Sequence, residues 1–293
     1  MIQDLFLIIL GIIYLAFASA SDLRKREIPN WLCFSLIIFA VVYRCIFALL
    51  YSDLNYFLFG ILGLGIFVFL GYLFYYMRVF AGGDAKLLMG LGLLLPLSSA
   101  LGKNLFLFIL FIFLLFLLGS IWGLGFSLFN VLVNFRIFRE EFARQLKLNK
   151  KFVSYVLAFS VVLFLFMAIY NSSFTGIEIV YIVPLLILSF PILYVYAKAI
   201  EEACFVVDVS PKDLTIGDWL YKKVKIGKRF IKPNWEGLDE KELEILRKNG
   251  KKVKVKYGVP FGPSFLFAFV VFLTLYFWYY DLISFLRTML GFG

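Results

Sequence analysis

Histidine does not occur in this sequence of 293 residues. Its absence removes Ser-His-Asp triads, Cys-His pairs and every His-ligated metal site. Cysteine is scarce. Cys33, Cys45 and Cys204 stand far apart and form no C-x-x-C pair, so neither a thiolate zinc site nor a disulfide framework is indicated. Charge is low as well, at 16% of residues against 63% hydrophobic, with a mean hydropathy of +0.94. Soluble domains average roughly 25% charged and about 45–50% apolar residues, so a soluble globular fold is excluded. Disorder is excluded by the 20% of aromatic residues. Hydrolytic chemistry in such a chain falls to carboxylates, Ser/Thr, Lys or Tyr.

What is present is apolar sequence in long runs. A bilayer span takes about 20 mostly apolar residues. Charge-free runs of that kind lie at 5–21, 31–51, 54–77, 87–102, 104–135, 152–177, 179–197 and 261–280. The run at 87–102 is short and contains Pro96; the run at 104–135 exceeds a bilayer thickness and is expected to tilt or project. Only Arg44 interrupts a run, at a depth from which it is expected to snorkel toward headgroups. The expected fold is therefore an all-α polytopic membrane protein of about eight transmembrane helices, with a range of six to eight. The first run is not a cleaved signal peptide, because Asp4 replaces a basic n-region and no small-residue cleavage pattern follows.

Lys and Arg set the expected orientation. Arg24–Arg26, Arg78, Lys86, the 136–151 loop and the 198–256 segment fall on one side of the membrane and hold 26 of the 29 basic residues. Arg44, Lys103 and Arg287 fall on the other. The positive-inside rule makes the rich side cytoplasmic and puts the N-terminus outside. The net charge of +10 is accounted for by topology and contact with anionic lipid, without nucleic acid.

One long polar stretch stands apart. At Asp239-Glu-Lys-Glu242 a capping-box variant opens a short helix with Leu238, Leu243 and Leu246 as its apolar stripe and Gly250 at its end. Lys252-Val-Lys-Val-Lys-Tyr257 alternates with period two, as a half-buried strand does, and a hairpin is expected around Gly227. A small cytosolic α+β module before the last span follows. The expected division is 1–134, a core; 135–199, a basic loop and two spans; 200–260, the module; and 261–293, a last transmembrane helix. Gly60, Gly63 and Gly65, and the pair Gly119 and Gly123, read as close-packing positions.

Ionisable groups near membrane depth are functional candidates. Asp22 ends the first run and Asp84 lies in Phe80-Ala-Gly-Gly-Asp-Ala-Lys86; the topology places both at the cytoplasmic rim. Two close carboxylates do not both ionise readily. The charged one activates water, and the neutral one polarises a carbonyl and protonates the leaving amine. Gly82 and Gly83 offer backbone freedom and close approach for a bound extended segment. Each aspartate also has a structural reading: Asp22 paired with Arg24–Arg26, and Asp84 as the N-cap of the following helix.

Three stretches resemble the type IV prepilin peptidases, the A24 class of G-x-G-D membrane aspartyl proteases, in the archaeal branch that processes prepilins and preflagellins (prearchaellins). Asp22 through Ile28-Pro29-Asn30 is similar to the first-aspartate motif. Gly82-Gly-Asp-Ala-Lys86 with Leu87-Leu88 and Gly90-Leu91-Gly92 is similar to the second. The 217–264 segment, including Gly217-Asp-Trp-Leu220, Lys232-Pro-Asn-Trp-Glu-Gly-Leu238 and Gly258-Val-Pro-Phe-Gly-Pro-Ser264, is similar to the archaeal C-terminal extension. Ala81 departs from the pattern, which has Gly at that position. The resemblance implies an aspartic endopeptidase of the cell membrane with Asp22 and Asp84 as catalytic pair and no metal or other cofactor. Its substrates would be pilin-like precursors with a short basic leader, cut at the cytoplasmic face. Gly82 and Gly83 would meet substrate backbone, and Lys86 and Arg78 would border the site or contact lipid. The four-Cys region of bacterial relatives is missing, so methyltransferase activity is not implied. A presenilin or signal-peptide-peptidase type of intramembrane protease is the alternative enzyme class. A transporter or scaffold is the non-enzymatic alternative.

Overall fold

The computed structural model describes residues 2–171, 182–226, 229–234 and 236–289. Six helices among the described residues are long and apolar enough to cross a membrane: Asp4–Lys25, Asn30–Tyr51, Leu54–Tyr76, Leu101–Val133, Lys150–Ile169 and Ile182–Phe205. The ends expected at 177 and 179 for two of the spans lie outside the described residues. The chain divides into two compact units, Met1–Gly125 with Val259–Gly293, and Phe126–Gly258.

In the first unit, α1 (Ile2–Lys25), α2 (Asn30–Tyr51), α3 (Leu54–Tyr76), α4 (Gly82–Leu91), the 101–125 part of α5 (Leu101–Val133) and α10 (Gly262–Met289) share one core. Helix α10 lies along α1, although 240 residues separate Asp22 from Gly262. Rings of Phe67, Phe108, Phe111 and Phe272 fill the middle of this core by edge and tilted contacts.

The expected span at 87–102 is not a spanning helix. Helix α4 has ten residues and ends where Gly90, Gly92 and Pro96 weaken it. Residues 92–95 then tighten into turns closed by Gly92 N–H to Met89 O (3.2 Å), Leu93 N–H to Gly90 O (3.2 Å) and Leu94 N–H to Leu91 O (2.9 Å). Gly92 packs backbone to backbone on Gly63 of α3, an approach that no side chain at either position allows.

Irregular backbone at this depth survives only where protein supplies its hydrogen bonds. Arg44 supplies three. Its guanidinium donates to the carbonyls of Leu93 (2.7 Å), Tyr56 (2.7 Å) and Pro96 (2.9 Å), and it lies over the Tyr56 ring. Tyr276 donates to Leu97 O (2.8 Å), and the Asn104 side chain brackets Ser98 through its N–H (3.0 Å) and C=O (2.8 Å). The snorkelling expected of Arg44 is therefore corrected: the side chain is 1% exposed and turned inward onto these carbonyls. Gly60 leaves the room that it occupies.

Gly63 and Gly119 pack closely as expected, the latter against the Phe261 ring. A Cβ at Gly65 or Gly123 would meet nothing within 4 Å, so the G-x-x-x-G spacing does not form a two-point contact.

In the second unit, the basic run expected to be a loop is a helix, α6 (Phe135–Leu148). Arg136 pairs with Glu140 and Arg144 with Glu141 along one face, while Phe138 and Phe142 occupy another. The periodicity of its apolar residues outweighs its charge. Helix α7 (Lys150–Asn171) packs on α8 (Ile182–Ile200), and α6 meets α8 through Phe138 and Tyr196. A π-turn (Glu201–Phe205) leads into the module. There β1 (Val206–Val209), β5 (Val253–Lys256) and β2 (Trp219–Leu220) form an antiparallel sheet in that order, and β3 (Val224–Ile226) pairs with β4 (Arg229–Ile231). The tip of this hairpin, with Gly227, lies outside the described residues, as does Trp235. Helix α9 (Glu240–Asn249) carries the expected capping box of Asp239 and Glu242 and ends on Gly250 in the left-handed conformation. Leu238, Leu243 and Leu246 are buried with Val253 and Val255 of β5.

Candidate active site

Helix α1 continues past the apolar run and carries Asp22 in its last turn, before Arg24 and Lys25, which suit the negative helix end. The Arg26 N–H closes on Asp22 O (2.9 Å), and the Ser21 hydroxyl donates to Glu27 O (2.8 Å). Arg26 takes the left-handed conformation, φ 58°. This tight link delivers Ile28-Pro29-Asn30 to the start of α2.

Asp84 occupies the first turn of α4. The expected N-cap position belongs instead to Ala81, whose extended backbone (φ −69°, ψ 164°) any residue adopts. Ala81 in place of the motif glycine therefore carries no backbone strain. Asp84 accepts a hydrogen bond from the Ala81 N–H, the reach-back half of a capping box.

The two motif segments meet. Gly83 packs on Ile28: a Cβ at Gly83 would lie 3.1 Å from Ile28 Cβ and 3.4 Å from its carbonyl oxygen. The Cys33 thiol points at Gly83 O (3.9 Å). Lys86 Nζ donates to Asn30 Oδ1 (2.7 Å). Gly82 is open by comparison, its nearest neighbour being the Tyr75 ring at 3.8 Å. Neither glycine has a positive φ, so the structure uses the missing Cβ of Gly83 for close approach and not for unusual backbone. Arg78 lies exposed beyond the end of α3, in the left-handed conformation (φ 60°), and is separated from α4 by three residues.

Asp22 and Asp84 lie within electrostatic reach of one another. Asp84 is outside the six spanning helices. Burial, with the Asp22 charge second, pushes its carboxyl up to about 7, against the smaller opposing pull of the Ala81 N–H. Asp22 is 6% exposed, and its Oδ2 accepts from the Gly262 N–H at 2.6 Å. That partner was not singled out in the sequence, where Gly258–Ser264 entered only as part of the resemblance to the archaeal C-terminal extension. The available signal was Gly262-Pro263 at the head of an apolar run, a common way to begin a helix whose positive end favours an anion. An aromatic group of Phe74, Phe80, Phe116, Phe261 and Phe265 packs around the start of α10 and the end of α3. No group of three or more Cys, Asp or Glu able to hold a metal ion occurs among the described residues.

Comparison with known proteins points the same way. Residues 9–128 match the model of the type IV leader peptidase family. Over 88 residues, 30% of this chain, the sequence is 39% identical to a preflagellin peptidase of Methanocaldococcus jannaschii, covering 37% of that protein. It is 34% identical over 88 residues to a preflagellin peptidase of Methanococcus maripaludis, covering 38% of it. The match thus spans little more than a third of the length of each of these curated relatives. No solved structure matches the chain. Both aspartates and their flanking motifs lie inside the segment that matches the type IV leader peptidase family.

Proposed function

We propose that this protein is a membrane-embedded aspartyl endopeptidase that removes the short basic leader from prearchaellin or type IV prepilin-like precursors. The observation that carries the proposal is the meeting of the two motif segments, which brings Asp22 and Asp84 into mutual electrostatic reach at one end of the first unit.

The chemistry needs only carboxylates and water. The ionised aspartate takes a proton from water as the oxygen attacks the scissile carbonyl. The protonated aspartate gives its proton to the carbonyl oxygen, which yields a tetrahedral diol. Collapse of the diol breaks the C–N bond, and the amine leaves with a proton from the acid–base pair. Asp84, with its carboxyl up at about 7, suits the acid role near neutral pH. The clustering of 26 of 29 basic residues on one side supports a cytoplasmic site. A leader is cut there before its hydrophobic helix, which would pack laterally against the spans. Gly82, half-buried beside Asp84 and with only the Tyr75 ring, at 3.8 Å, near where a Cβ would be, suits contact with substrate backbone.

The test is cleavage of a prearchaellin or prepilin precursor by purified protein in detergent. Asp22→Asn and Asp84→Asn each lose cleavage by about a hundred-fold or more, the range for removing acid–base groups. Near wild-type cleavage by either variant defeats the assignment.

A further inference from the structure

We propose that the first turn of α10 is the positioning element for Asp22, with Gly262 as the residue that lets it act. The inference rests on the peptidase reading above and assigns a part of that site to a helix outside the family-matched segment 9–128.

Three observations carry it. The Gly262 N–H donates to Asp22 Oδ2 at 2.6 Å, and the Phe261 N–H also bonds the carboxyl. The Gly262 Cα lies against the end of α1: a Cβ there would sit 3.0 Å from Asp22 Cβ, 3.1 Å from Oδ2 and 3.2 Å from Ser19 Cα. Gly262 has no positive φ, so glycine is favoured here by this tight contact and not by backbone conformation. The helix behind the amides is long, and its unpaired N–H groups concentrate partial positive charge at the carboxylate.

The arrangement gives the two aspartates different jobs. Asp22 faces two amide donors at a helix N-terminus, Arg26 from its own helix end and Asp84 from α4. Asp84 faces one amide, from Ala81, and the Asp22 charge. Hydrogen bonds from N–H groups favour the ionised form of a carboxyl. The two amides thereby fix Asp22 in one rotamer, and their excess over the single amide at Asp84 favours Asp22 as the base of the pair. Nothing in α1 to α4 supplies those donors, so the segment carrying both aspartates does not complete the site.

Gly262→Ala tests this in full-length protein. Expected are a loss in kcat of about 10- to 100-fold, the cost of a misplaced reacting group, a KM within about two-fold, and an acid limb of the kcat profile moved to higher pH. Gly258→Ala, where a Cβ meets nothing within 4 Å, is the control and keeps wild-type turnover. Unchanged kcat and pH profile in folded Gly262→Ala overturn the proposal. A second measurement does not depend on that variant folding or on activity. Amide hydrogen exchange at 261–264 is slow in the wild type and speeds in Asp22→Ala if the carboxylate holds this turn. Exchange that is the same in both also overturns it. Loss of the exchange coupling together with normal precursor cleavage refutes the positioning role alone. A wild type that shows the coupling and cleaves no precursor refutes the peptidase reading instead.

Discussion

Replacing Arg44 with methionine tests the account of the broken segment after α4. Methionine keeps most of the side-chain volume and removes the guanidinium. Three carbonyls, of Leu93, Tyr56 and Pro96, then lose donors at 2.7–2.9 Å in a site where Arg44 is 1% exposed. Each buried acceptor left unsatisfied costs about 1–3 kcal/mol. Asp4, 4% exposed and within reach of the Arg44 charge, loses its counter-charge as well. Breaking a buried pair from one side costs about 3–5 kcal/mol. These terms sum to about 6 kcal/mol at their low end; against them stands relief of the desolvation of Arg44 itself, several kcal/mol for a buried ion, so the net loss falls below that end, at about 3–5 kcal/mol. Arg44→Lys keeps the charge but cannot present three forked donors, and falls between, at about 2 kcal/mol. The assay is reversible unfolding of purified protein by SDS titration in mixed micelles. An Arg44→Met variant within about 1 kcal/mol of wild type refutes the reasoning. The carbonyls would then have other partners, and Arg44 would not be what permits a non-helical segment there.

Gly83→Ala forces Ile28 and α4 apart by a few tenths of an ångström and lowers cleavage about ten-fold, whereas Gly65→Ala, where a Cβ meets nothing within 4 Å, leaves it within about two-fold; equal effects in a precursor-cleavage assay contradict the close-approach role of Gly83. Ala81→Gly, which restores the motif glycine, changes stability by no more than a few tenths of a kcal/mol and turnover hardly at all, because position 81 is extended; a gain of several-fold in turnover would show that the motif glycine does more than the backbone requires. The pH profile falls on its alkaline side as Asp84, held up at about 7, loses its proton and with it the acid role; a wild-type profile flat from pH 6 to about 9 argues against Asp84 as the acid.

Much of this was legible because it rests on short-range pattern. Charge-free runs located the long helices, and Asp239, Glu242 and Gly250 marked both ends of α9 by capping chemistry alone. Val253 and Val255 showed their buried face by alternation. The failures share a cause. Helix α6 was hidden by its charge, since the ion pairs Arg136–Glu140 and Arg144–Glu141 exist only once a helix is assumed. The segment 87–102 has the composition of a span, yet composition does not report that the chain leaves the helix for turns at Gly92, whose backbone packs on Gly63. The inward turn of Arg44 depends on carbonyls 12 to 52 residues away. At the candidate site, Asp22 and Asp84 stood out together from motif order, while the Gly262 contact required knowing that α10 returns to α1.

That return has a consequence for synthesis. Asp22 leaves the ribosome 240 residues before Gly262. At roughly 5–20 residues per second, an interval of about 10–50 s separates them. Through it, α1 to α4 can insert and bring the two motif segments together while Asp22 has no helix end to accept from. The nascent chain thus carries both aspartates before the Gly262 N–H exists to meet Asp22, and that contact forms only once α10 has been synthesised.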